Sequence, residues 1–196
     1  MPSKKPPSIR LPALDDDKLT PEQRSLMSAI ASGPRGTFKM SGPFFCYLHA
    51  PAFGELAQKF GAYCRYGTSI DPRLTEFAIL ATAHFWKAQY EWAAHEPQAR
   101  RAGVKDKTIQ ALRTGKQPTT APKDERAIYA FIKEMYQTKR VSDRTYKALH
   151  AIIGDAGLVE LIGLLGYYAM VAMTLNVFRM PVAEGTPLPF REPATK

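Results

Sequence analysis

The sequence predicts an all-α protein with a single core. Apolar residues recur at steps of three and four in several segments, which is the spacing of a helix face that packs against a core. No segment alternates apolar and polar residues over the length of a strand. The chain has 196 residues, of which 45% are apolar. This is enough to bury one core, and it excludes a disordered chain.

Capping residues and prolines mark the first helices. Thr20-Pro21 places a capping hydroxyl before a proline at the first helical position, and the helix that it opens should end near Gly33. The Ser-Gly-Pro triplet at residues 41–43 predicts a loop. Pro51 then opens a second helix, which should end at Gly67.

The third helical segment begins at Asp71-Pro72 and has the clearest periodicity in the chain. Pro97 should break or kink this segment, and Gly103 should close it. Its apolar residues follow the steps of one buried face: Leu74, Phe77, Ala78, Ala81, Phe85, Ala88 and Trp92.

Three more helices are predicted at residues 124–138, 142–153 and 155–178. The last one contains a run of 15 uncharged residues between Glu160 and Asn176. A helix that spans a membrane needs about 20 apolar residues. The run therefore predicts a core helix that also contacts a second copy of the chain, and no membrane partner.

These elements predict one helical domain at residues 21–179. The Pro-rich, polar segments 1–20 and 180–196 should be extended arms outside the core. Two cysteines are too few to staple a secreted fold of this size, and no apolar signal peptide follows the start of the chain. We therefore expect a soluble cytoplasmic protein.

The net charge of +9 is concentrated in one stretch. Residues 98–147 contain 13 Lys and Arg against 5 Asp and Glu, whereas the other 146 residues contain 14 against 13. A basic stretch can attract nucleic acid, an acidic partner or a small anionic substrate. Aromatic residues are few there and form no nucleic-acid-binding motif, so we expect no nucleic-acid partner. A solvated basic face, or a non-enzymatic basic helical binding protein, is the alternative.

Four polar residues of the third segment could carry chemistry: Glu76, His84, Glu91 and His95. Their spacings of 8, 7 and 4 residues would place them within a sector of about 100° on one continuous helix. Glu91 and His95 are neighbours four residues apart, so the carboxylate could orient and charge the imidazole for general acid–base catalysis. An ordinary exposed ion pair would have the same spacing.

Several motifs between about residues 40 and 182 belong together. The most specific is Tyr-Glu-Trp-x-x-His at 90–95, which follows Leu-Thr-Glu-Phe-Ala-Ile-Leu at 74–80. Supporting stretches lie at 42–51, 100–104 and 158–176. In these motifs the chain resembles the carboxymuconolactone decarboxylase family. The resemblance implies an oligomeric helical bundle of the alkylhydroperoxidase D-like fold.

The peroxidase branch of that fold uses Cys-x-x-Cys, a His four residues later and a Glu upstream. In this chain the two cysteine positions are Ala88 and Glu91, while His95 and Glu76 match the other two residues. A thiolate is the peroxide nucleophile, and a second thiol resolves the intermediate. We therefore do not expect alkylhydroperoxidase activity, nor a redox role for the two cysteines.

The decarboxylase branch needs no thiol. Resemblance to it implies a small anionic lactone or enol-acid substrate of the 4-carboxymuconolactone type, degraded in aromatic-compound catabolism. No cofactor is expected, because the lactone carbonyl of the substrate takes up the electrons that departing CO₂ leaves. No metal is expected either, because the histidines lack ligand spacing. A related lyase, isomerase or hydrolase acting on another lactone or enol acid is the alternative.

The resemblance suggests three catalytic residues, His95, Glu91 and Glu76. His95 would donate the proton, and either glutamate would set its tautomer and charge. Because all three side chains are chemically competent, the residue that transfers the proton stays open.

Three other residues are candidates for substrate binding. Tyr90 or His49 would face the lactone oxygen, and Trp92 would form a wall of the pocket. Tyr90 and Trp92 could instead be packing residues, and His49 could cap the helix that Pro51 opens.

Overall fold

The computed structural model describes residues 8–191, and within them it contains eight α-helices and a short 3₁₀ turn at Asp16–Lys18. No strand occurs in this range, which confirms the predicted all-α class. In chain order the helices are α1 (Pro21–Ser32), α2 (Gly42–Leu48), α3 (Pro51–Tyr66), α4 (Pro72–Trp86), α5 (Gln89–Arg101), α6 (Asp106–Arg113), α7 (Lys123–Thr138) and α8 (Asp143–Phe178).

Helix α4 lies at the centre of the fold and contacts α3, α5, α6, α7 and α8. All ten residues from Leu74 to Ala83 are buried. Burying a Leu, Ile or Phe side chain fully contributes about 1.5–3 kcal/mol, so this helix contributes much of the stability of the core. A smaller apolar cluster joins α1, α2 and α3; it consists of Leu26, Ile30, Tyr47, Leu48 and Ala57.

Local signals in the sequence explain where several helices begin. The Thr20 side chain accepts a hydrogen bond from the backbone N–H of Gln23, whose side chain accepts one from the Thr20 N–H. This reciprocal pair is a capping box. Asp71 accepts from the backbone N–H of Arg73 at 2.8 Å, and Ser142 caps α8 in the same way. These helix starts agree with the prediction.

The loop predicted at residues 41–43 is wrong beyond Ser41, because α2 begins at Gly42. Gly42 has a φ of 57°, and a Cβ atom there would lie 2.5 Å from the Tyr90 ring. A glycine is therefore needed both for the backbone conformation and for the close approach of the aromatic ring. The Ser-Gly-Pro triplet is thus the first turn of α2 together with its N-cap residue.

The third predicted segment is two helices, and the break is not at Pro97. Helix α4 ends at Lys87, which adopts a left-handed conformation with φ 51°, and α5 begins two residues later. Pro97 is exposed and lies inside α5, which continues to Arg101 and closes before Gly103 as predicted. Phe85, placed on the buried face by its spacing, is 44% exposed.

Gly154 separates the two helices that were predicted at 142–153 and 155–178. It has φ 64° and ψ −172°, which is not a helical conformation, so α8 is interrupted there. This region of backbone space is accessible essentially to glycine alone. The kink lets the two parts of α8 pack in different directions against the body.

The predicted arms are partly packed onto the domain. No helix occurs at residues 180–191, but Phe190 is buried and its ring packs against Trp92 at a centroid distance of 5.2 Å. The expectation that the tail lies outside the core is therefore wrong for Phe190. Leu11 and Leu14 of the first arm pack against the main core. Residues 1–7 and 192–196 lie outside the described range.

In the described part of the chain, α8 alone is long and apolar enough to cross a membrane, with a mean hydropathy of 1.8. Half of its most apolar window is buried inside the protein, as in a core helix of a soluble protein. One such helix is weak evidence for a membrane span. Its buried face, which includes Leu161, Leu164 and Leu165, packs into the main core.

Candidate active site

Glu76 and His95 meet across the interface between α4 and α5. The Nδ1 atom of His95 donates a hydrogen bond to Oε2 of Glu76 at 2.7 Å, and both residues are buried. This bond fixes the ring orientation, and with Glu76 ionised it assigns the proton to Nδ1. The Nε2 atom is then left to accept from, or donate to, a reacting group.

Two further side chains complete this centre. Arg65, at the C-terminal end of α3, places Nε 3.5 Å from Oε1 of Glu76. The ring of Tyr168, on α8, stands perpendicular to the imidazole of His95 at a centroid distance of 5.1 Å. The centre therefore uses one side chain from each of four helices, so its geometry depends on the packing of the whole bundle.

Glu91 lies one helical turn before His95 and is 2% exposed. Neither of its carboxylate oxygens has a hydrogen-bond partner among the described residues, and both are shielded from solvent. Burial raises the pKa of Glu91 well above its usual value. Glu91 is in the first turn of α5, where the helix dipole favours an anion by about 0.3–1 kcal/mol. Leaving a buried carboxylate unpaired costs several kcal/mol, so the neutral acid is the stable form.

Tyrosines face this acid on the other elements. Tyr136 on α7 and both Tyr167 and Tyr168 on α8 lie within electrostatic range of Glu91. Burial is the main cause that raises the pKa of each of these phenols. The surroundings of Glu91 are thus uncharged hydroxyls and aromatic faces, in which a protonated carboxyl is the compatible state.

The sequence predicts that Glu91 orients His95, and the structure corrects this prediction. The hydrogen-bond partner of His95 is Glu76, 19 residues away. The i,i+4 spacing places Glu91 and His95 on one side of α5, but Glu91 points into apolar surroundings without a partner. The two glutamates are therefore in different environments, one ion-paired and one neutral.

The three predicted binding residues contact other parts of the molecule. The Tyr90 hydroxyl is 3.1 Å from Oγ of Ser41. The Trp92 indole N–H donates to Glu96 at 2.6 Å, and its ring packs against Phe190. Within the described residues, no hydrogen bond or ring contact joins Tyr90 or Trp92 to Glu76 or His95. These two side chains are packing residues here.

His49 is also remote from this centre. It ends α2, and α3 is capped by Ala50 without a side-chain bond, so the proposed capping role of His49 is wrong. Its ring packs against Phe45 at 5.1 Å, and Nε2 is buried with no partner in residues 8–191. Burial lowers the pKa of His49.

Sequence reasoning did not single out Arg65 and Tyr168. The separation of Arg65 from Glu76 crosses a loop, so no periodicity connects the two residues. Tyr168 lies in the stretch 158–176, which supports the family resemblance. That resemblance is the signal that could have indicated Tyr168 as a site residue. Glu160, in contrast, has a structural role, because it accepts hydrogen bonds from Tyr63 and from Ser69.

The cysteines are buried and unpaired. Burial raises the pKa of Cys46 and of Cys64 to about 11. Both thiols are therefore protonated and poorly nucleophilic at neutral pH. Among the described residues no group of three or more His, Cys, Asp and Glu side chains could hold a metal ion.

Two of the cavities in the described part of the chain are considered as binding sites. The larger, about 580 Å³, lies between the N-terminal ends of α1 and α3, and the smaller, about 390 Å³, lies beside the C-terminal end of α4. Glu76, Glu91 and His95 line neither cavity. Both cavities are therefore separate from the candidate centre.

Comparison with known proteins agrees with the fold. A protein of unknown function from Agrobacterium tumefaciens, whose name suggests an AhpD antioxidant defence role, superposes with a TM-score of 0.63 at 13% identity over 70% of this chain and 95% of its own. An uncharacterized peroxidase-related protein from Silicibacter sp. TM1040 gives 0.72 at 15% identity over 94% and 95%. No curated protein sequence matches.

A family comparison covers part of the chain. Residues 51–134 match the sequence model of the carboxymuconolactone decarboxylase family. The matched segment runs from α3 into α7 and contains Arg65, Glu76, Glu91 and His95. Over residues 51–134 the chain is similar to the carboxymuconolactone decarboxylase family, and it has an alkylhydroperoxidase D-like helical fold.

Proposed function

We propose that this protein is a cofactor-independent decarboxylase that acts on a carboxylated lactone of the 4-carboxymuconolactone type in aromatic-compound catabolism. The observation that carries the proposal is Glu91, a buried carboxyl without a partner, held neutral beside the hydrogen-bonded Glu76 and His95. The similarity of residues 51–134 to the carboxymuconolactone decarboxylase family supports the same class of reaction.

The chemistry requires a proton donor in a dry site. When the C–C bond to the carboxylate breaks, CO₂ leaves and the electron pair of that bond spreads onto the lactone carbonyl as a dienolate. A proton must then be added to carbon to give the enol-lactone product. A neutral carboxylic acid shielded from water is suited to this step, because it keeps its proton at neutral pH until an anion forms next to it.

Each residue of the centre has a role in this proposal. Glu91 donates the proton to carbon. His95, held by Glu76 through Nδ1, presents Nε2 to the developing negative charge on the lactone oxygen. Arg65 balances the charge of Glu76, and Tyr168 fixes the face of the imidazole.

A thiol peroxidase is the function that the names of the structural neighbours suggest, but this chain lacks its chemistry. Alanine and glutamate stand at the two cysteine positions of that branch. Cys46 and Cys64 lie on α2 and α3, are buried, and have pKa values of about 11. A related lyase, isomerase or hydrolase of another lactone or enol acid would use the same centre and stays the alternative.

We also infer that the protein assembles with copies of itself. Helices α3 and α8 expose apolar side chains on adjacent surfaces, and Phe60 packs against Tyr167 where the helices meet. A patch of this kind is typical of a subunit interface. The exposed residues of this apolar face are Phe53, Leu56, Phe60, Tyr63, Val159, Ile162, Met173 and Val177.

The proposal is tested by assaying one preparation for two activities. We expect ultraviolet absorbance to report loss of 4-carboxymuconolactone with stoichiometric release of CO₂, and no consumption of an alkyl hydroperoxide with a dithiol reductant. A folded protein that does not turn over the lactone contradicts the proposal. Peroxide consumption that disappears in Cys46→Ser or Cys64→Ser would replace it with thiol chemistry.

A further inference from the structure

The cavity of about 390 Å³ is a second candidate site, separate from the Glu76–His95 centre. It lies between the C-terminal end of α4, the segment around Gln117 and the outer face of α7. We propose that it binds a small anion with a flat ring, such as an aromatic carboxylate. The inference does not depend on the decarboxylase proposal, because no residue of the catalytic centre lines this cavity.

The charge of the cavity favours an anion. Lys87 and Lys133 line it, and no Asp or Glu does. The Lys87 ammonium is 3.0 Å from Nε2 of His84. Burial, and secondarily the Lys87 charge, lower the pKa of His84, so its neutral ring accepts a hydrogen bond from the lysine. The Lys87 ammonium also lies 5.1 Å from the centroid of the Phe190 ring. No carboxylate in the described part of the chain pairs with either lysine, so neither positive charge is neutralised by an acidic side chain.

Aromatic walls favour a flat ring. The rings of Phe85 and Tyr136 lie 4.4 Å apart at an angle of 31°, and Tyr129 lines the same cavity. Phe85 is 44% exposed although its position in the helix pattern predicts burial, and it also lines the cavity. A planar ligand could stack there at the spacing that aromatic pairs prefer.

The floor and the volume limit the size of the ligand. Ala81, Leu112 and Ile132 are buried apolar residues that close the cavity from inside. Its volume of about 390 Å³ is at the lower end of the range for small-molecule sites, about 300–1,000 Å³. A single-ring carboxylate fits these limits, whereas a dinucleotide cofactor does not.

One side chain that lines the cavity, Tyr136, also lies near Glu91. The Tyr136 hydroxyl is 3.1 Å from Oγ1 of the buried Thr82, and the phenol is within electrostatic range of Glu91. A ligand that displaces Tyr136 would therefore change the surroundings of Glu91.

The test measures binding of benzoate by calorimetry, with benzamide and acetate as matched probes that lack the charge or the ring. We expect benzoate to bind with Kd near or below about 1 mM, and the other two at least about tenfold more weakly. Lys87→Gln and Lys133→Gln should each weaken benzoate binding about two- to fivefold, and the double variant about tenfold. Lys147→Gln, at an exposed position on α8, should leave the affinity unchanged.

Amide chemical shifts locate the site in the same titration. Shifts confined to residues 81–87 and 129–137 support the proposal. Three results overturn it: no benzoate binding, an affinity unchanged in both Lys87→Gln and Lys133→Gln, or shifts centred on Glu76 and His95. Because the readout is binding and not turnover, it remains informative even if the protein does not decarboxylate any lactone.

Discussion

Two electrostatic effects oppose each other at Glu91. The N-terminal end of α5 favours an anion, but complete burial without a hydrogen bond favours the neutral acid, and burial is the larger effect. Glu76, in contrast, has two partners, because Arg65 and His95 both contact its carboxylate. One carboxyl is thus prepared to donate a proton and the other to hold an imidazole, although they lie in the same bundle.

The first prediction concerns the stability of the Glu91→Gln variant. With its pKa raised in the folded state, Glu91 binds more protons folded than unfolded above about pH 4.5, so wild-type stability falls as the pH rises through that range. A neutral amide removes this cost. We therefore expect the difference in Tm between the variant and wild type to grow as the pH rises from about 5 to about 8. In a protein of this size, each kcal/mol of unfolding free energy shifts Tm by about 2–4 °C. Parallel pH profiles of Tm for the two proteins would contradict a raised pKa at Glu91.

The second prediction separates the roles of His95 and Glu76. His95→Ala removes the group that faces the developing charge and should lower kcat by about 10²–10⁴. Glu76→Gln keeps a hydrogen-bonding side chain next to Nδ1 but removes the charge, so its effect on kcat should be smaller, with KM changed little in both variants. Steady-state kinetics decide this. Equal losses in the two variants would mean that Glu76 takes part in the reaction directly.

At the scale of elements, two glycines and one lysine with positive φ lie where a helix begins, bends or ends. Gly42 and Gly154 have positive φ values. Gly42 stands in the Ser-Gly-Pro triplet and Gly154 between two helical patterns, and both positions are visible in the sequence. Lys87, in contrast, ends α4 in a left-handed conformation that is uncommon for lysine. No local signal predicts this break, because the apolar pattern continues through it.

The third prediction concerns the kink in α8. Gly154→Ala should destabilise the protein by about 1–3 kcal/mol, because alanine is strained at φ 64° and ψ −172°. Ala151, an exposed residue three positions earlier, is the control: there the reverse change, Ala151→Gly, should cost about 0.5–1 kcal/mol. Denaturant unfolding measures both values. A Gly154→Ala protein as stable as wild type would show that the kink is not required.

At the scale of the molecule, the fold was more predictable from sequence than the site. The helix starts at Thr20, Asp71 and Ser142 follow from local capping, and the core of α4 from periodicity. Glu76 and His95 were expected in one sector of a continuous helix, but they lie on two packed helices and contact each other across the interface. Tertiary packing also decides that Glu91 has no partner, and no spacing rule reports this.

The fourth prediction concerns assembly through the apolar face of α3 and α8. Leu56 is 71% exposed and Ile162 is 60% exposed, and burying these side chains between copies would stabilise an oligomer. Leu56→Lys and Ile162→Lys should each yield a species of lower mass in light scattering after gel filtration. Leu188→Lys, at an apolar residue that is 53% exposed in the tail, should not. A wild-type protein that is monomeric at all concentrations would contradict the assembly.

The most direct test of the proposed chemistry is the kcat for decarboxylation of 4-carboxymuconolactone by wild type, Glu91→Gln and Glu184→Gln. The last variant changes an exposed glutamate in the same way and serves as the control. We predict turnover by wild type and Glu184→Gln, and a loss of about 10²-fold or more in Glu91→Gln. A Glu91→Gln protein with wild-type turnover would contradict the claim that this buried acid donates the proton.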